Sequence, residues 1–206
     1  MDNNAVVHLI DDDEAVRQAL AFLLATAGHA VRVYESAEAF LAAAGSAQPG
    51  CVVSDVRMPG MDGITLQRRL KEIGIGLPVV IMTGHADVPL AVEAMKAGAI
   101  DFIEKPFDDE VLLSAIRLAL SRRDETARRD AEMSQIRVRI GSLSERERQV
   151  LDGLVAGHPN KTIAYDLQLS PRTVEVHRAN LMIKMGANSL SDLVRMALVA
   201  EHPAAS

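Results

Sequence analysis

The first half of the chain carries polar side chains that together could perform phosphate chemistry. They stand at, or directly after, the ends of four short apolar runs: Asp11, Asp12, Asp55, Thr83 and Lys105. Clustered carboxylates repel one another unless a hard cation lies among them, and Mg²⁺ prefers oxygen ligands. A carboxylate beside such a cation can attack phosphorus as a nucleophile and form an acyl phosphate. Lys105 would neutralise the phosphoryl group and the Thr83 hydroxyl would donate to one of its oxygens, so the set predicts phosphoryl transfer.

Apolar runs that alternate with amphipathic stretches predict the elements that position these side chains. Strands are predicted at Val6–Ile10, Ala30–Tyr34, Cys51–Ser54, Pro78–Thr83 and Asp101–Glu104. Helices are predicted at Glu14–Ala27, Ala37–Ala44, Ile64–Ile73, Val88–Ala97 and Asp109–Leu120. Five strand–helix alternations predict an α/β fold with a doubly wound parallel sheet. Ligands of such a sheet bind beyond the carboxyl ends of its strands, where the five polar residues would meet.

Composition excludes several classes of protein. Hydrophobic residues make up 49% and charged residues 24% of the 206 residues, which excludes disorder as the main state. No apolar run approaches the ~18–20 residues needed to cross a bilayer. Residues 1–4 lack the basic start of a signal peptide, and the single cysteine, Cys51, forms no disulfide within the chain. These features predict a cytoplasmic protein with no membrane partner.

Charge is distributed unevenly along the chain and predicts two modules with different partners. Residues 1–120 hold 9 Lys+Arg against 17 Asp+Glu, a balance of −8, whereas residues 121–206 hold 13 against 11, a balance of +2. Residues 121–141 are charged, lack proline and lack a broad apolar face, which predicts a solvated helical linker; a dimeric coiled coil is the alternative. The predicted domains are therefore residues 1–120 and 142–206.

The pattern from Leu143 onward is helical only. Helix starts are predicted at four capping residues: Ser144, Asn160, Ser170 and Ser189. Glu147 stands three residues after Ser144 and completes a capping box, and Pro171 fits the first position of a helix. Four short helices predict a small all-α domain.

The first module resembles the receiver domain of bacterial response regulators in four segments: LIDDDEAVR, SDVRMPGMDG, VVIMTGHAD and DFIEKPF. The resemblance implies a flavodoxin-like sheet with strand order 2-1-3-4-5 and phosphorylation on Asp55. It further implies that Asp11, Asp12 and Asp55 bind Mg²⁺ together with the backbone carbonyl of Arg57.

The same resemblance implies roles for further residues. Thr83 and Lys105 contact the phosphoryl group, Phe102 is the aromatic switch, and the peptide between Lys105 and Pro106 is cis. Phosphorylation is expected to turn Phe102 inward and to produce a homodimer through the fourth helix and the fifth strand. Its expected dimer face comprises Val88, Val92 and Lys96.

The second module resembles the four-helix DNA-binding domain of LuxR-type regulators over LSERERQVLDGLVAGHPNKTIAYDLQLSPRTVEVHRANLMIKMGANSLSDLVRMAL. A helix-turn-helix that begins at Asn160 has the small Ala164 at its fifth position. Gln168 occupies the ninth position, where many such motifs carry glycine. The second helix of the motif enters the major groove. Its predicted core side is Val174, Leu181 and Met185.

The opposite side of that helix is expected to meet DNA. Residues predicted to face base edges are Arg172, Glu175, Val176 and Ala179. Residues predicted to contact phosphates are Lys161, Thr173, Arg178 and Lys184. A glutamate on this side can accept from a cytosine amino group.

Four other conspicuous residues have structural interpretations. Asp13 and Asp62 fit helix-cap or turn positions. Cys51 fits a small buried hydrophobe, and His177 fits a packed histidine rather than a ligand.

Both modules in this order resemble the FixJ/NarL class of response regulators, and several segments resemble nitrogen-fixation activators of the FixJ type. The resemblance implies a FixL-like sensor histidine kinase, double-stranded promoter DNA and RNA polymerase as partners. It also implies control of nitrogen-fixation or microaerobic genes. The predicted function is a phosphorylation-switched transcription activator.

Two other functions are weighed against this prediction. A phosphatase that passes through an aspartyl phosphate commonly carries a second Asp two residues after its nucleophile, but Arg57 stands there. A phosphorelay intermediate without direct promoter activation is the remaining alternative, and residues 142–206 argue against it.

Overall fold

The computed structural model describes residues 5–84 and 88–201. The chain divides into two compact units, residues 1–126 and 127–206, which are described separately. Three parts of the predicted domains lie outside the described residues: 1–4, 85–87 and 202–206. Among the described helices, none combines the length and apolar character that a bilayer crossing requires.

The first unit contains a five-stranded, fully parallel sheet with the order β2-β1-β3-β4-β5. The strands are β1 Val6–Ile10, β2 Ala30–Tyr34, β3 Gly50–Asp55, β4 Val79–Thr83 and β5 Asp101–Glu104. The predicted fold class and strand order are confirmed. Every residue of β1, β3 and β4 is buried, because these strands lie inside the sheet and are covered on both faces.

Five helices connect or follow these strands. They are α1 Glu14–Thr26, α2 Ala37–Ala44, α3 Gly63–Glu72, α4 Val88–Ala97 and α5 Asp109–Gly141. Asp13 caps α1 by accepting from the backbone N–H groups of Ala15 and Val16, and Asp62 caps α3 in the same way. Both residues are therefore structural, as predicted.

The second unit is a helical bundle. Four of its helices are α6 Glu145–Val155, α7 Asn160–Asp166, α8 Pro171–Met185 and α9 Leu190–Glu201. Ser144 and Glu147 form the predicted capping box, and Ser170 caps α8, which has proline at its first turn. The predicted cap at Asn160 is wrong: the cap position is Pro159, and no side chain caps α7. Pro159 has a φ of −68°, the value that the proline ring imposes, and this φ is compatible with the start of a helix.

The end of α5 belongs to this bundle. Residues 121–141 do form helix, but Ile136 is buried in the same apolar cluster as Val150, Leu181 and Leu193. Ile140 packs against that cluster as well. The segment predicted as a solvated linker therefore buries apolar surface over its last turns, because Ile136 and Ile140 lie four residues apart on one helix face.

Candidate functional site

The carboxyl ends of β1, β3 and β5 bring three charged side chains together. Lys105 Nζ lies 2.7 Å from Asp11 Oδ2 and 2.6 Å from Asp55 Oδ1. The side chains of Asp11 and Asp55 are 2% and 10% exposed, and that of Lys105 is 23% exposed. Ile10 pairs with Ser54 in the sheet, which sets Asp11 beside Asp55 at the same edge. One ammonium group thus bridges two buried carboxylates.

The electrostatics of this cluster keep Lys105 charged. Burial by itself lowers the pKa of Lys105, but hydrogen bonds and charge from Asp11 and Asp55 outweigh it and raise that pKa above its ordinary value. Two carboxylates and one ammonium leave a net negative charge at the rim. Such a site suits a further cation.

Main-chain groups hold the Asp55 carboxylate in place. The backbone N–H of Arg57 donates to Asp55 Oδ2 at 2.6 Å, so the two carboxylate oxygens have different partners. A Cβ on Gly63 would lie 2.3 Å from the main-chain oxygen of Asp55, so only glycine lets α3 begin this close to the site. The sequence pattern indicated only a cap or turn at Asp62 and did not predict this close approach of Gly63 to Asp55.

The predicted three-carboxylate cluster around a metal ion is not formed by the described residues. Among residues 5–84 and 88–201, no three acidic, histidine or cysteine side chains converge in an arrangement that could hold a metal. The Lys105 ammonium satisfies Asp11 and Asp55, whereas Asp12 is exposed to solvent. Two of the three predicted carboxylates are therefore brought together.

Residues near this rim lie on β4 and β5. Thr83 is buried at the end of β4, and its backbone carbonyl accepts from the Lys105 N–H at 2.7 Å. The predicted cis peptide between Lys105 and Pro106 is confirmed. Phe102 pairs with Ile81 across the sheet and is partly buried against one of the two apolar clusters of this unit.

The predicted dimer residues lie on an exposed side of α4. Val88 is 78% exposed and Val92 is 43% exposed, and Lys96 is exposed as well. Met95, which the sequence analysis did not single out, is 50% exposed and lines a shallow groove with Val92 and Lys96. This is an apolar surface with a basic residue at its edge.

The α8 helix has the two sides that the sequence predicts. Its core side is confirmed, because Val174, Leu181 and Met185 are fully buried. All four residues predicted to face base edges are exposed: Arg172, Glu175, Val176 and Ala179. Of the predicted phosphate contacts, Lys161 is exposed on α7, Arg178 is half-buried, and the Thr173 hydroxyl lies 2.8 Å from Ser170 Oγ in the cap of α8.

Lys184 forms an ion pair with a buried acid of α6. Its Nζ donates to Glu147 Oε2 at 2.7 Å, and Glu147 is 4% exposed. At 3.6 residues per turn, Lys184 stands about 120° around the helix from Arg172 and about 20° from Thr173. The hydrogen bond from Lys184, with that from the Ser144 backbone, lowers the pKa of Glu147 to about 2. The Lys184 ammonium is thus paired with a buried carboxylate in this structure, and the phosphate contact of Lys184 stays a prediction.

The chain matches two families of known proteins. Residues 7–117 match the response regulator receiver domain, and residues 141–197 match the bacterial regulatory proteins of the luxR family. The chain is 58% identical to the transcriptional regulatory protein FixJ of Rhizobium meliloti (strain 1021) over 193 residues, which cover 93% of this chain and 94% of that protein. FixJ of Azorhizobium caulinodans is 56% identical over 200 residues, which cover 97% of this chain and 95% of that protein.

A solved structure supports the same relationship. Full-length FixJ from B. japonicum is 53% identical to the chain, covers 96% of it and is itself covered over 97% of its length, with a TM-score of 0.60. A receiver domain joined to a LuxR-type domain, with this identity along most of the chain, shows that the protein belongs to the FixJ-type two-component response regulators and is a phosphorylation-dependent regulator of transcription.

Proposed function

We propose that a sensor histidine kinase, FixL-like in type, transfers a phosphoryl group to Asp55, and that the phosphorylated chain activates transcription as a DNA-bound homodimer. The observation that carries this proposal is the contact of Lys105 Nζ with both Asp55 and Asp11. It leaves a carboxylate nucleophile, a neighbouring carboxylate and a fixed positive charge at one strand edge. This set suits phosphoryl transfer, in which positioning and charge neutralisation supply most of the catalysis.

In the proposed transfer, a carboxylate oxygen of Asp55 attacks the phosphorus of a phosphohistidine on the kinase. The new O–P bond forms as the P–N bond breaks, and the imidazole leaves with the electron pair of that bond. The Arg57 N–H orients the Asp55 carboxylate during the attack. Lys105 neutralises charge on the phosphoryl oxygens, and the Thr83 hydroxyl donates to one of them.

The donors at the rim fit Mg²⁺, because carboxylate and carbonyl oxygens are the ligands that this ion prefers. Asp11 and Asp55, which already meet at the rim, would hold it with the backbone carbonyl of Arg57, and Asp12, exposed in this structure, would join them. When bound, it would neutralise negative charge on the phosphoryl and carboxylate oxygens.

Phosphorylation is proposed to act through a shift between two packings of the receiver. Thr83, drawn toward the phosphoryl group, would free space for the Phe102 ring to turn inward. The exposed side of α4, with Val88, Val92 and Lys96, would then pair with a second copy. Linking two DNA-binding units in this way raises their affinity for paired half-sites by avidity.

The DNA contact is proposed to run through α8. Arg172, Glu175, Val176 and Ala179 would read base edges in the major groove, while positions around them contact phosphates. Those phosphate contacts would be Lys161, Thr173, Arg178 and Lys184. The proposed partners are promoter DNA and RNA polymerase, and the proposed location is the cytoplasm. The proposed targets are nitrogen-fixation or microaerobic genes, because the relatives named FixJ share more than half of the chain's residues.

A labelling and DNA-binding experiment tests the proposal. The wild-type chain and Asp55→Asn are incubated with Mg²⁺ and a small acyl phosphate, and binding to a random DNA pool is followed by gel shift. We expect only the wild type to gain label and to enrich a defined duplex. The matched control is Asp62→Asn, because asparagine caps α3 as well as aspartate does.

Two results would contradict the proposal. Full labelling of Asp55→Asn would exclude Asp55 as the acceptor. A labelled wild-type chain that enriches no duplex would instead favour the phosphorelay intermediate.

A further inference from the structure

Three charged contacts join the ends of α5, α6 and α8 in a closed ring. Each contact links two different helices, at 3.0, 2.7 and 2.7 Å respectively: Arg148 Nη2 to Ile140 O, Arg139 Nη1 to Met185 O, and Lys184 Nζ to Glu147 Oε2. We call this set the helix-end ring. It passes from α6 to α5, from α5 to α8 and from α8 back to α6.

The contact between Arg139 and Met185 closes the last turn of α8. The final carbonyls of a helix have no partner within the helix, and a cation there also complements the helix dipole. Arg139 supplies both the hydrogen bond and the charge. A Cβ on Gly186 would lie 2.9 Å from Arg139 Nη1, so the guanidinium fills the space beside this glycine. Gly186 has a φ of +65°, which a glycine adopts without strain.

The end of α5 is held firmly enough to place Arg139. Ile136, three residues before Arg139, is 3% exposed and lies in the core of the bundle. Ile140, the next residue after Arg139, packs against the same core and accepts the bond from Arg148. Arg139 therefore projects from a helix end that is fixed on both sides.

We propose that Arg139 is a positioning residue for DNA recognition, which holds the C-terminal end of α8 through Met185 without touching DNA. This inference rests on the proposed entry of α8 into the major groove. Base-edge contacts require a geometry held to about 0.5 Å, whereas phosphate contacts tolerate more displacement. Loosening the end of α8 should therefore weaken sequence-specific binding and leave non-specific binding almost unchanged.

The test compares Arg139→Ala with Arg137→Ala in the full chain. Arg137 is exposed and lies on the same helix, so Arg137→Ala removes the same charge as Arg139→Ala. Two probes are used: a duplex selected from a random pool by the wild-type chain, and a scrambled duplex of equal composition. Binding is measured over a range of salt concentrations, and hydrogen exchange of the α8 amides is measured without DNA. Arg139→Lys, which keeps the charge and one donor, serves as the rescue variant.

We expect Arg139→Ala to lose about tenfold in affinity for the selected duplex, the scale of one charge-assisted hydrogen bond. Affinity for the scrambled duplex and the slope of affinity against salt should stay unchanged. Exchange in the last turn of α8 should rise for Arg139→Ala, fall back for Arg139→Lys and stay unchanged for Arg137→Ala.

Three results would overturn the inference. Equal losses on both duplexes with a smaller salt slope would make Arg139 a phosphate contact. Equal losses of DNA affinity in Arg139→Ala and Arg137→Ala would show that only the positive charge matters. Unchanged hydrogen exchange of the α8 amides in Arg139→Ala would exclude the positioning role. The exchange measurement needs no DNA, so it tests the role of Arg139 in the helix-end ring even if α8 does not enter the major groove. That docking fails separately if Glu175→Ala binds the selected duplex as the wild type does.

Discussion

Two lysines of this chain pair with buried carboxylates, and their partners determine what each lysine can contact. Lys105 bridges Asp11 and Asp55 at the rim of the sheet, where its charge stays beside the proposed phosphoacceptor. Lys184, an exposed residue of the helical bundle, pairs with the buried Glu147. Removing one member of such a pair leaves a buried charge without compensation, which is costly. Each lysine therefore compensates the charge of a buried acid in this structure.

The pair of Glu147 and Lys184 should make the second unit sensitive to acid. The pKa of Glu147 is lowered from 4.5 to about 2, because Lys184 and the Ser144 backbone stabilise its carboxylate. The folded state thus binds fewer protons than the unfolded state in this range, and the stabilisation is present above pH 4.5 and lost as the pH falls toward 2. We expect Glu147→Gln to lower the free energy of unfolding at pH 7, with the difference from wild type shrinking between pH 4.5 and 2.

Urea unfolding followed through NMR signals of α6 and α8 measures this difference. Glu145→Gln is the control, because Glu145 is exposed in the same helix turn. A gap between Glu147→Gln and wild type that stays constant across this pH range would contradict the prediction.

Within the helix-turn-helix, the turn between α7 and α8 is the strained part. Gln168 is the one residue other than glycine with a positive φ, +56°, among the described parts of the chain. A side chain in this left-handed region costs roughly 1–2 kcal/mol, since its Cβ crowds the following carbonyl oxygen. Gln168 stands at the ninth position of the motif, where glycine is common, and its backbone conformation supplies the reason for that preference.

Gln168→Gly should therefore stabilise the second unit. We expect a gain of about 0.5–1 kcal/mol, because relief of strain exceeds the added flexibility of the unfolded chain. Gln168→Ala keeps a Cβ and should give no gain, which makes it the matched control. Thermal unfolding would measure both variants, and equal midpoints for glycine and alanine would count against a strained Gln168.

At the scale of the whole molecule, the second unit begins before its sequence motif does. The LuxR-type match starts at residue 141, and the sequence pattern predicts a domain at 142–206. The compact unit spans 127–206, because Ile136 and Arg139 of α5 contribute to its core and its helix-end ring.

A set of fragments would show where this unit starts. Residues 127–206 and 134–206 should have equal stability, whereas 142–206 should lose about 3 kcal/mol or more, since it lacks a buried isoleucine and the Arg139 bond. Urea unfolding of the three fragments measures this. If 142–206 proves as stable as 134–206, Ile136 contributes nothing to the fold.

Local patterns in the sequence were sufficient for most elements of this protein. Periodicity located all five strands, and the caps at Ser144 and Ser170 marked where two helices begin, because both signals depend on neighbours within a few residues. The signature residues at the strand ends were likewise visible, because a parallel sheet sends the carboxyl ends of its strands to one edge.

Tertiary structure decided which particular charged atoms are in direct contact. Lys105 lies 94 residues from Asp11 in sequence, and Lys184 lies 37 residues from Glu147, yet each pair is in direct contact. The burial of Ile136 and the contact of Arg139 with Met185 depend in the same way on helices packing from distant parts of the chain. Residue types determine which side chains are able to pair, but only packing brings a particular donor within about 3 Å of a particular acceptor.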